Sequence, residues 1–505
     1  MNLHFPREFR DTLFKLDPRS LLAFRLLLTT ALFTDLAERF FNTSYFFTES
    51  GVFPEPLWDK LYGFKPYYWS MHFSDSDIVI WGLVGLQVIL AGCLVLGYRL
   101  RITLLMSWVL LLSMNLGNPL LTYGGDKLSP GLLLIAAIIP LTVAQRQKAG
   151  HGPLTYLAGF LMLTQVTMLY TAAGAAKVWQ VYWMNGDALY NAMNFNLLVK
   201  PLGLFLLNFE TFLRVSSWAT PWAEIILPML CWIPSWKGRI RTLALLGILS
   251  LNIGIWLTMD VGYFMFYSSA AVICLLPAIF WDTIAPLTSR MQQWLQRPGF
   301  TLGRRITAWL AHETQPVLED AASARPSLDL MSKLRAGIMV WLILVLSISG
   351  LEGMKVWKRV NWPSPIWNAV RAPNLYQNWG LFTNPNTQLQ WYVSKATLAN
   401  GRIVDILQDG APVSFPRPTT RPELFRGNFR WRLAFAKANK HKKHTAVRSA
   451  ITSNVARIWN DHHGPDEQVQ SLQIFKMSKV LSKTYAYKRH WKSWGNWAAD
   501  KEQSN

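Results

Sequence analysis

Nine stretches of this chain are long and apolar enough to cross a bilayer: near residues 20–41, 77–97, 102–118, 130–145, 153–177, 218–235, 241–259, 262–281 and 335–351. A chain built this way must satisfy its backbone inside helices, because lipid offers no hydrogen-bonding partner. Composition agrees: 51% of residues are hydrophobic and 16% charged, against about a quarter charged in soluble domains. Polar residues interrupt several stretches, so they are expected to surround an interior rather than stand as separate lipid-facing rods. The fold class expected is mainly α: a polytopic helical membrane bundle of about nine spans with a small C-terminal α+β extramembrane domain.

Lys and Arg placement orients the bundle. One set of connections carries Arg7, Arg10, Lys15 and Arg19, then Arg99 and Arg101, Arg146 and Lys148, and Lys237, Arg239 and Arg241, with more over 282–334. The opposite set carries only Lys60, Lys65, Lys127, Lys200 and Arg214. The positive-inside rule puts the N-terminus in the cytoplasm and, after nine spans, the C-terminus outside. The first 19 residues are polar, so the segment from Ser20 reads as a retained anchor rather than a cleaved signal.

Four regions follow: a bundle over 1–281, a cytoplasmic linker over 282–334, a last span at 335–351, and a basic α+β domain over 352–505. In the last region Asn400-Gly401 sits between alternating runs, a hairpin signal. The run 429–459 reads as one or two amphipathic helices, and 467–481 alternates as a strand. Of the net charge of +21, the part from Leu351 onward holds 24 Lys/Arg against 9 Asp/Glu. A basic domain tethered to a bilayer meets anionic headgroups, so membrane lipids are the expected partner and nucleic acid is not.

Candidate chemistry concentrates at outer boundaries. Tyr170, Gly174 and Lys177 fall at i, i+4 and i+7 in "YTAAGAAKVWQVYW", one face of a helix. The small residues around Gly174 admit close approach by another helix or a ligand. Lys177 either snorkels to headgroups or, partly desolvated, serves as a neutral-amine base, covered by Trp179, Tyr182 and Trp183. The loop "NLGNPLLTYGGDKLSPG" brings Tyr123 and Asp126 to the same depth. Within the first span Asp35 and Arg39 are spaced to pair, while Arg25 needs another partner. Glu38, Glu224 and Asn252 are further intramembrane polar groups, which mark function or architecture. No metal motif is present, and the three cysteines all fall in apolar segments.

The tail "YAYKRHWKSWGNW" sets Trp491 and Trp494 on one side of a helix, flanked by Lys488, Arg489 and Lys492. That pattern suits a helix lying on anionic lipid; the alternative is an aromatic edge packed on the domain's own core.

Three stretches carry a family resemblance. "SLLAFRLLLTTALFTDLAERF", "LVLGYRLRI" and "YTAAGAAKVWQVYWMNGDAL" resemble the membrane domain of vitamin K-dependent γ-glutamyl carboxylases, the HTTM (horizontally transferred transmembrane) family. The resemblance spans roughly residues 17–280. It implies a bacterial inner-membrane protein, carboxylase-like (lyase) chemistry, a reduced quinone as cofactor and an exported peptide or protein as substrate. Lys177 matches the lysine regarded as the family's base; Asp126 and Tyr170 would assist, and Gly174, Tyr123 and Trp183 would line a cofactor site. Where the animal carboxylases carry Asn-Asn-His, this chain has "YGGDKL", and their large lumenal region is not recognisable. A non-catalytic assembly or maturation partner is therefore the competing expectation, and oligomeric state is not legible.

Overall fold

The computed structural model describes residues 7–54, 76–150, 152–195, 197–234, 238–297, 301–317, 329–354, 363–377, 379–380, 382–383, 388–418, 422, 424, 428–438, 445–480 and 489–498. The helices labelled here are α1 (Arg7–Phe14), α2 (Pro18–Phe41), α3 (Asp77–Leu96), α4 (Leu100–Gly117), α5 (Gly124–Ile138), α6 (Val143–Ala149), α7 (Pro153–Val178), α8 (Glu210–Leu230) and α9 (Arg239–Thr258). There follow α10 (Phe264–Ile273), α11 (Ala278–Leu295), α12 (Thr301–Glu313), α13 (Leu330–Gly353) and α14 (Ser364–Arg371). The C-terminal domain adds β1 (Gln388–Leu398), β2 (Ile403–Val404), α15 (Phe429–Ala438), α16 (Thr445–His462), β3 (Val469–Val480) and β4 (Arg489–Ala498).

Nine of these helices (α2, α3, α4, α5, α7, α8, α9, α10 and α13) run alternately between two ends of a bundle. At the near end, that of α1, Ser20 Oγ donates to Leu276 O at 2.6 Å and Arg241 Nη1 to Leu13 O at 2.7 Å. At the far end Asn118 Nδ2 donates to Phe46 O at 2.6 Å and the Tyr263 amide to the Tyr123 hydroxyl at 2.9 Å. By length and composition six helices suffice to cross a membrane, and up to eight if two bent pairs, α5 with α6 and α10 with α11, each count as one. The shortfall from nine has local causes. The fifteen residues of α5 and the ten of α10 reach only about 22 and 15 Å, and α8 carries Glu210, Arg214 and Glu224 among its apolar residues.

α5 and α7 form the centre. Every residue of α5 from Leu128 to Ile138 is buried, and α7 is packed by α1, α8, α10 and α13. Close approach follows from small residues: a Cβ on Gly159 would fall 1.9 Å from Phe14 O, and one on Gly174 2.6 Å from Pro221 O.

The C-terminal domain is a four-stranded antiparallel sheet in the order β2-β1-β3-β4 with α15 and α16 against one face. The Asn400-Gly401 hairpin forms as expected, with Gly401 at φ 81°. Two helices fill 429–462 and β3 occupies the expected strand. One expectation gains detail and another needs correction. The 282–334 linker contains most of α11 and all of α12. The tail is not a surface helix from Arg489 onward but strand β4: a register shift at Ile474/Phe475 pairs those residues with Gly495 and Ser493. The extra residue, Trp494, is turned onto the core, as a bulge allows, which gives the tryptophans a spacing that mimics a helix. Trp494 is buried and stacks on Phe435 with centroids 4.6 Å apart, so it cannot meet lipid. Lys488 and the side chains of Arg489, Trp491 and Lys492 lie outside the described residues.

The domain does not hang from a tether. One apolar core runs from the bundle into it, with Trp431 of α15 against Phe46 at 5.1 Å between centroids.

Candidate functional site

Charged side chains are costly in an apolar interior unless paired and hydrogen-bonded, so the buried ones locate where this fold has invested specificity. Arg25, Arg146 and Arg241 are buried at the near end; toward the far end the buried charges form two directly paired clusters.

The first contains Asp35 and Arg39 of α2, Asp126 of α5 and Arg430 of α15, all at most 2% exposed. Arg39 donates to Asp35 Oδ2 at 2.9 Å, to Asn115 Oδ1 at 3.0 Å and to Asp126. Arg430 reaches Asp35 Oδ1 at 2.6 Å, Asp126 Oδ2 at 2.9 Å and Leu121 O at 2.8 Å. Two arginines and two aspartates balance. The Tyr267 hydroxyl donates to Asp35 at 3.2 Å, and the rings of Tyr123 and Phe429 face the Arg430 guanidinium. Asp126 is the third residue of α5 and also accepts the Tyr123 amide at 3.1 Å, a reciprocal arrangement that starts the helix. Glu38, one turn along, accepts from the Tyr263 hydroxyl at 2.9 Å.

The second cluster is built on α7 and α8. Lys177 Nζ lies 2.5 Å from Glu224 Oε2, with side-chain exposures of 2% and 9%. The ammonium also sits 5.6 Å from the Trp183 ring centroid. Lys177 therefore does not snorkel: the short distance from α7 to α8 at Gly174 leaves its chain pointing inward to Glu224. About two turns deeper, the Tyr170 hydroxyl donates to Asn252 Oδ1 at 3.0 Å, and Asn252 Nδ2 to Ser269 Oγ at 3.0 Å.

The sequence-derived site is thus divided. Lys177, Tyr170 and Gly174 share one face, but Asp126 and Tyr123 belong to the charge quartet. Trp183 is buried and its indole N–H donates to Phe382 O at 3.1 Å and Thr383 O at 3.2 Å, while Trp179 is 82% exposed. Gly174 is covered by α8. Arg25 finds its partner in Glu313 of α12, at 3.2 Å at the near end.

Arg430 went unseen because it lies in a polar, soluble-looking helix. A signal existed: Asp35 and Asp126 are two anions at one depth with Arg39 as the lone intramembrane cation beside them, so a second cation had to arrive from elsewhere.

A third polar element links the two clusters. After α14 the chain descends into the bundle: Asn374 Nδ2 donates to Asp126 O at 3.3 Å, and Gln377 exchanges hydrogen bonds with Gln165 at 2.7 and 3.1 Å. Trp379 Nε1 donates to Gln377 Oε1 at 3.1 Å. Gln165 lies midway along α7, about 18 Å from its start at 1.5 Å per residue. Non-helical backbone is tolerated at such depth only inside protein, and Leu375, Gln377 and Trp379 are each at most 3% exposed. Asn374 (φ 56°) and Phe382 (φ 53°) flank the descent in the left-handed region, which costs about 1–3 kcal/mol each and is held by the surroundings.

Comparison of this chain with protein-family models, curated proteins and solved structures finds no match.

Proposed function

We propose that this is a multi-pass protein of a bacterial inner membrane with nine crossings, its N-terminus cytoplasmic and its C-terminal domain extracytoplasmic. Lys177 and Glu224 are its chemical centre, the acid–base pair of an intramembrane enzyme related to the carboxylase-like HTTM family. Orientation rests on the Lys and Arg bias between the two ends. The catalytic reading rests on one observation, Lys177 Nζ at 2.5 Å from a buried Glu224 carboxylate. In the proposed role the Glu224 carboxylate takes the ammonium's proton and leaves the Lys177 amine lone pair to act as base.

A reduced quinone, which the resemblance implies, does not fit against Gly174 as expected, because α8 fills that surface to within a Cβ. No step is therefore assigned through it.

The second reading is a non-catalytic assembly or maturation partner. Full pairing of Lys177 and the keyed docking of the C-terminal domain favour it. Complementation of a deletion strain separates the two. Arginine keeps the charge and the contact to Glu224 but cannot release its proton. Loss of function in Lys177→Arg at normal expression supports the base; full function in that variant ends the catalytic reading.

A further inference from the structure

A cavity of about 220 Å³ opens at the near end, away from both clusters, where α4, α5, α6, α7 and α13 meet. Its charged lining among the described residues is Arg101, Lys148 and Arg335, joined by the polar Gln145 and Ser332, with no carboxylate among them. Arg101 and Arg335 are close enough to repel one another. Arg101 Nε is buried without a hydrogen-bond partner among the described residues. Arg335 spends Nε and Nη2 on Met331 O and Ser332 Oγ of its own helix, at 3.2 and 3.4 Å. Asp329 sits 3.1 Å from Lys148 and also accepts the Ser332 amide at 2.9 Å.

Arg101 and Arg335 face each other across the cavity with no described carboxylate between them, an arrangement that suits an anion from outside. Geometry adds to this. Arg101, Leu154 and Ser332 lie in the first turns of α4, α7 and α13, three long helices whose positive dipole ends converge here. The walls are mixed: Ile138, Ala149 and Leu154 are apolar. Leu105, one turn from Arg101 along the same face of α4, is 43% exposed. A phosphate at the cations would thus have apolar surface beginning one turn away.

We propose that this cavity binds the phosphate group of an anionic phospholipid, with Arg101 and Arg335 as its forked donors and Lys148 at the rim. A phosphodiester accepts paired N–H bonds from each guanidinium and cancels their mutual repulsion. The lipid is preferred to free phosphate because the site lies at the helix ends with apolar surface beside it. The assignment of a lipid rests on the membrane reading above; the anion chemistry of the cavity does not.

The test uses the full-length protein in neutral detergent, with thermal unfolding followed while phosphatidylglycerol, phosphatidylcholine or inorganic phosphate is added. Phosphatidylglycerol should raise Tm and phosphatidylcholine should not. Arg101→Gln with Arg335→Gln should weaken the apparent affinity at least about tenfold, since charge-assisted forks are the strong contacts. Lys333→Gln with Arg290→Gln, basic residues outside the cavity, should leave it unchanged. Without lipid the cavity variant should unfold no earlier than the wild type, because repulsion has been removed. Equal responses of the two variants, or of the two lipids, would overturn the site. Inorganic phosphate reproducing the whole effect would overturn the lipid and leave a free-anion site. Native mass spectrometry of the wild type gives a readout independent of any variant: phosphatidylglycerol should be retained, and none retained refutes the proposal.

Discussion

Arg430 Nη2 lies 2.6 Å from Asp35 Oδ1, a contact closed across 395 residues of chain between the C-terminal domain and the first long helix. It makes the domain part of the bundle's electrostatics: without Arg430, Asp35 and Asp126 would share a single arginine in an interior closed to water. Neighbouring contacts hold the same orientation. Lys437 Nζ donates to Pro119 O at 2.7 Å and Thr122 O at 2.5 Å, and Arg457 Nη2 to Ser44 O at 2.8 Å. Three cations of the domain thus satisfy carbonyls and carboxylates at the bundle's far end.

Removing one partner of a buried charge network costs about 3–5 kcal/mol because the others are left uncompensated. Arg430→Met should therefore lower Tm sharply and release the domain to protease. Arg430→Lys should recover only part of the loss, since a single ammonium cannot fork to both Asp35 and Asp126. In the Asp126→Asn background Arg430→Gln should cost much less than in the wild type. Additive effects would show that the contact carries little coupling.

The Lys177–Glu224 pair yields a stability prediction separate from its chemistry. Lys177→Met leaves Glu224 buried and unpaired, and Glu224→Met does the reverse; each should cost about 3–5 kcal/mol. The double variant, with apolar chains of similar length, should regain most of this in thermal unfolding. A double variant no more stable than either single one would mean that the two residues act independently.

Gln377 and Gln165 satisfy each other at mid-depth, so truncating one orphans the other. Gln377→Ala should cost about 1–3 kcal/mol for the unsatisfied amide, plus the cavity, and should loosen residues 375–383 in hydrogen exchange. Replacing both by Leu should restore stability more than either single change. Unchanged exchange in Gln377→Ala would show that the flanking turns at Asn374 and Phe382 hold the descent unaided.

Most helices were legible because apolar runs of this length have one solution in lipid, and the hairpin because Asn-Gly admits positive φ at Gly401. The charge quartet was half legible: Asp35 and Arg39 share a helix face, whereas Arg430 comes from a segment whose local pattern says only amphipathic helix. The descent through Gln377 was illegible, since nothing in "NLYQNWG" marks depth, which is set by contacts to Gln165 and Gly131 on other helices. The tail misled for a definable reason: one bulged residue converts a strand's period of two into a spacing of three.

Asp405 offers a pH test outside the bundle. Its Oδ1 accepts from the Ser394 amide and hydroxyl and the Leu407 amide, yet burial outweighs these bonds and raises its pKa above the ordinary 3.8. A raised carboxyl pKa gives stability that is fully present below 3.8 and lost as pH rises through the folded value. Asp405→Asn keeps the acceptor without the charge. It should match or exceed wild-type Tm at pH 7 and fall behind as the pH drops below the folded pKa. Asp405→Ala, which loses all three bonds, should cost about 1–3 kcal/mol at any pH. An asparagine variant that loses ground as pH rises would reverse the sign assigned here.

Topology is the last prediction, and it governs the others. Lys127 is exposed at the far end beside the charge quartet, Arg402 projects from the hairpin of the C-terminal domain, and Lys148 is exposed at the near end. Because α2 to α13 alternate, Lys127 and Arg402 must lie on one side of the membrane and Lys148 on the other. In the orientation proposed from the Lys and Arg bias, Lys148 would face the cytoplasm. Single cysteines at the three positions, in a background with Cys93, Cys231 and Cys274 replaced, should divide accordingly. Lys127→Cys and Arg402→Cys should react with an impermeant maleimide in intact spheroplasts, and Lys148→Cys only after lysis. The mirror pattern would keep the fold and invert its orientation, moving Lys177 to the cytoplasmic side. Equal labelling of all three in intact cells would mean that no bilayer separates the two ends.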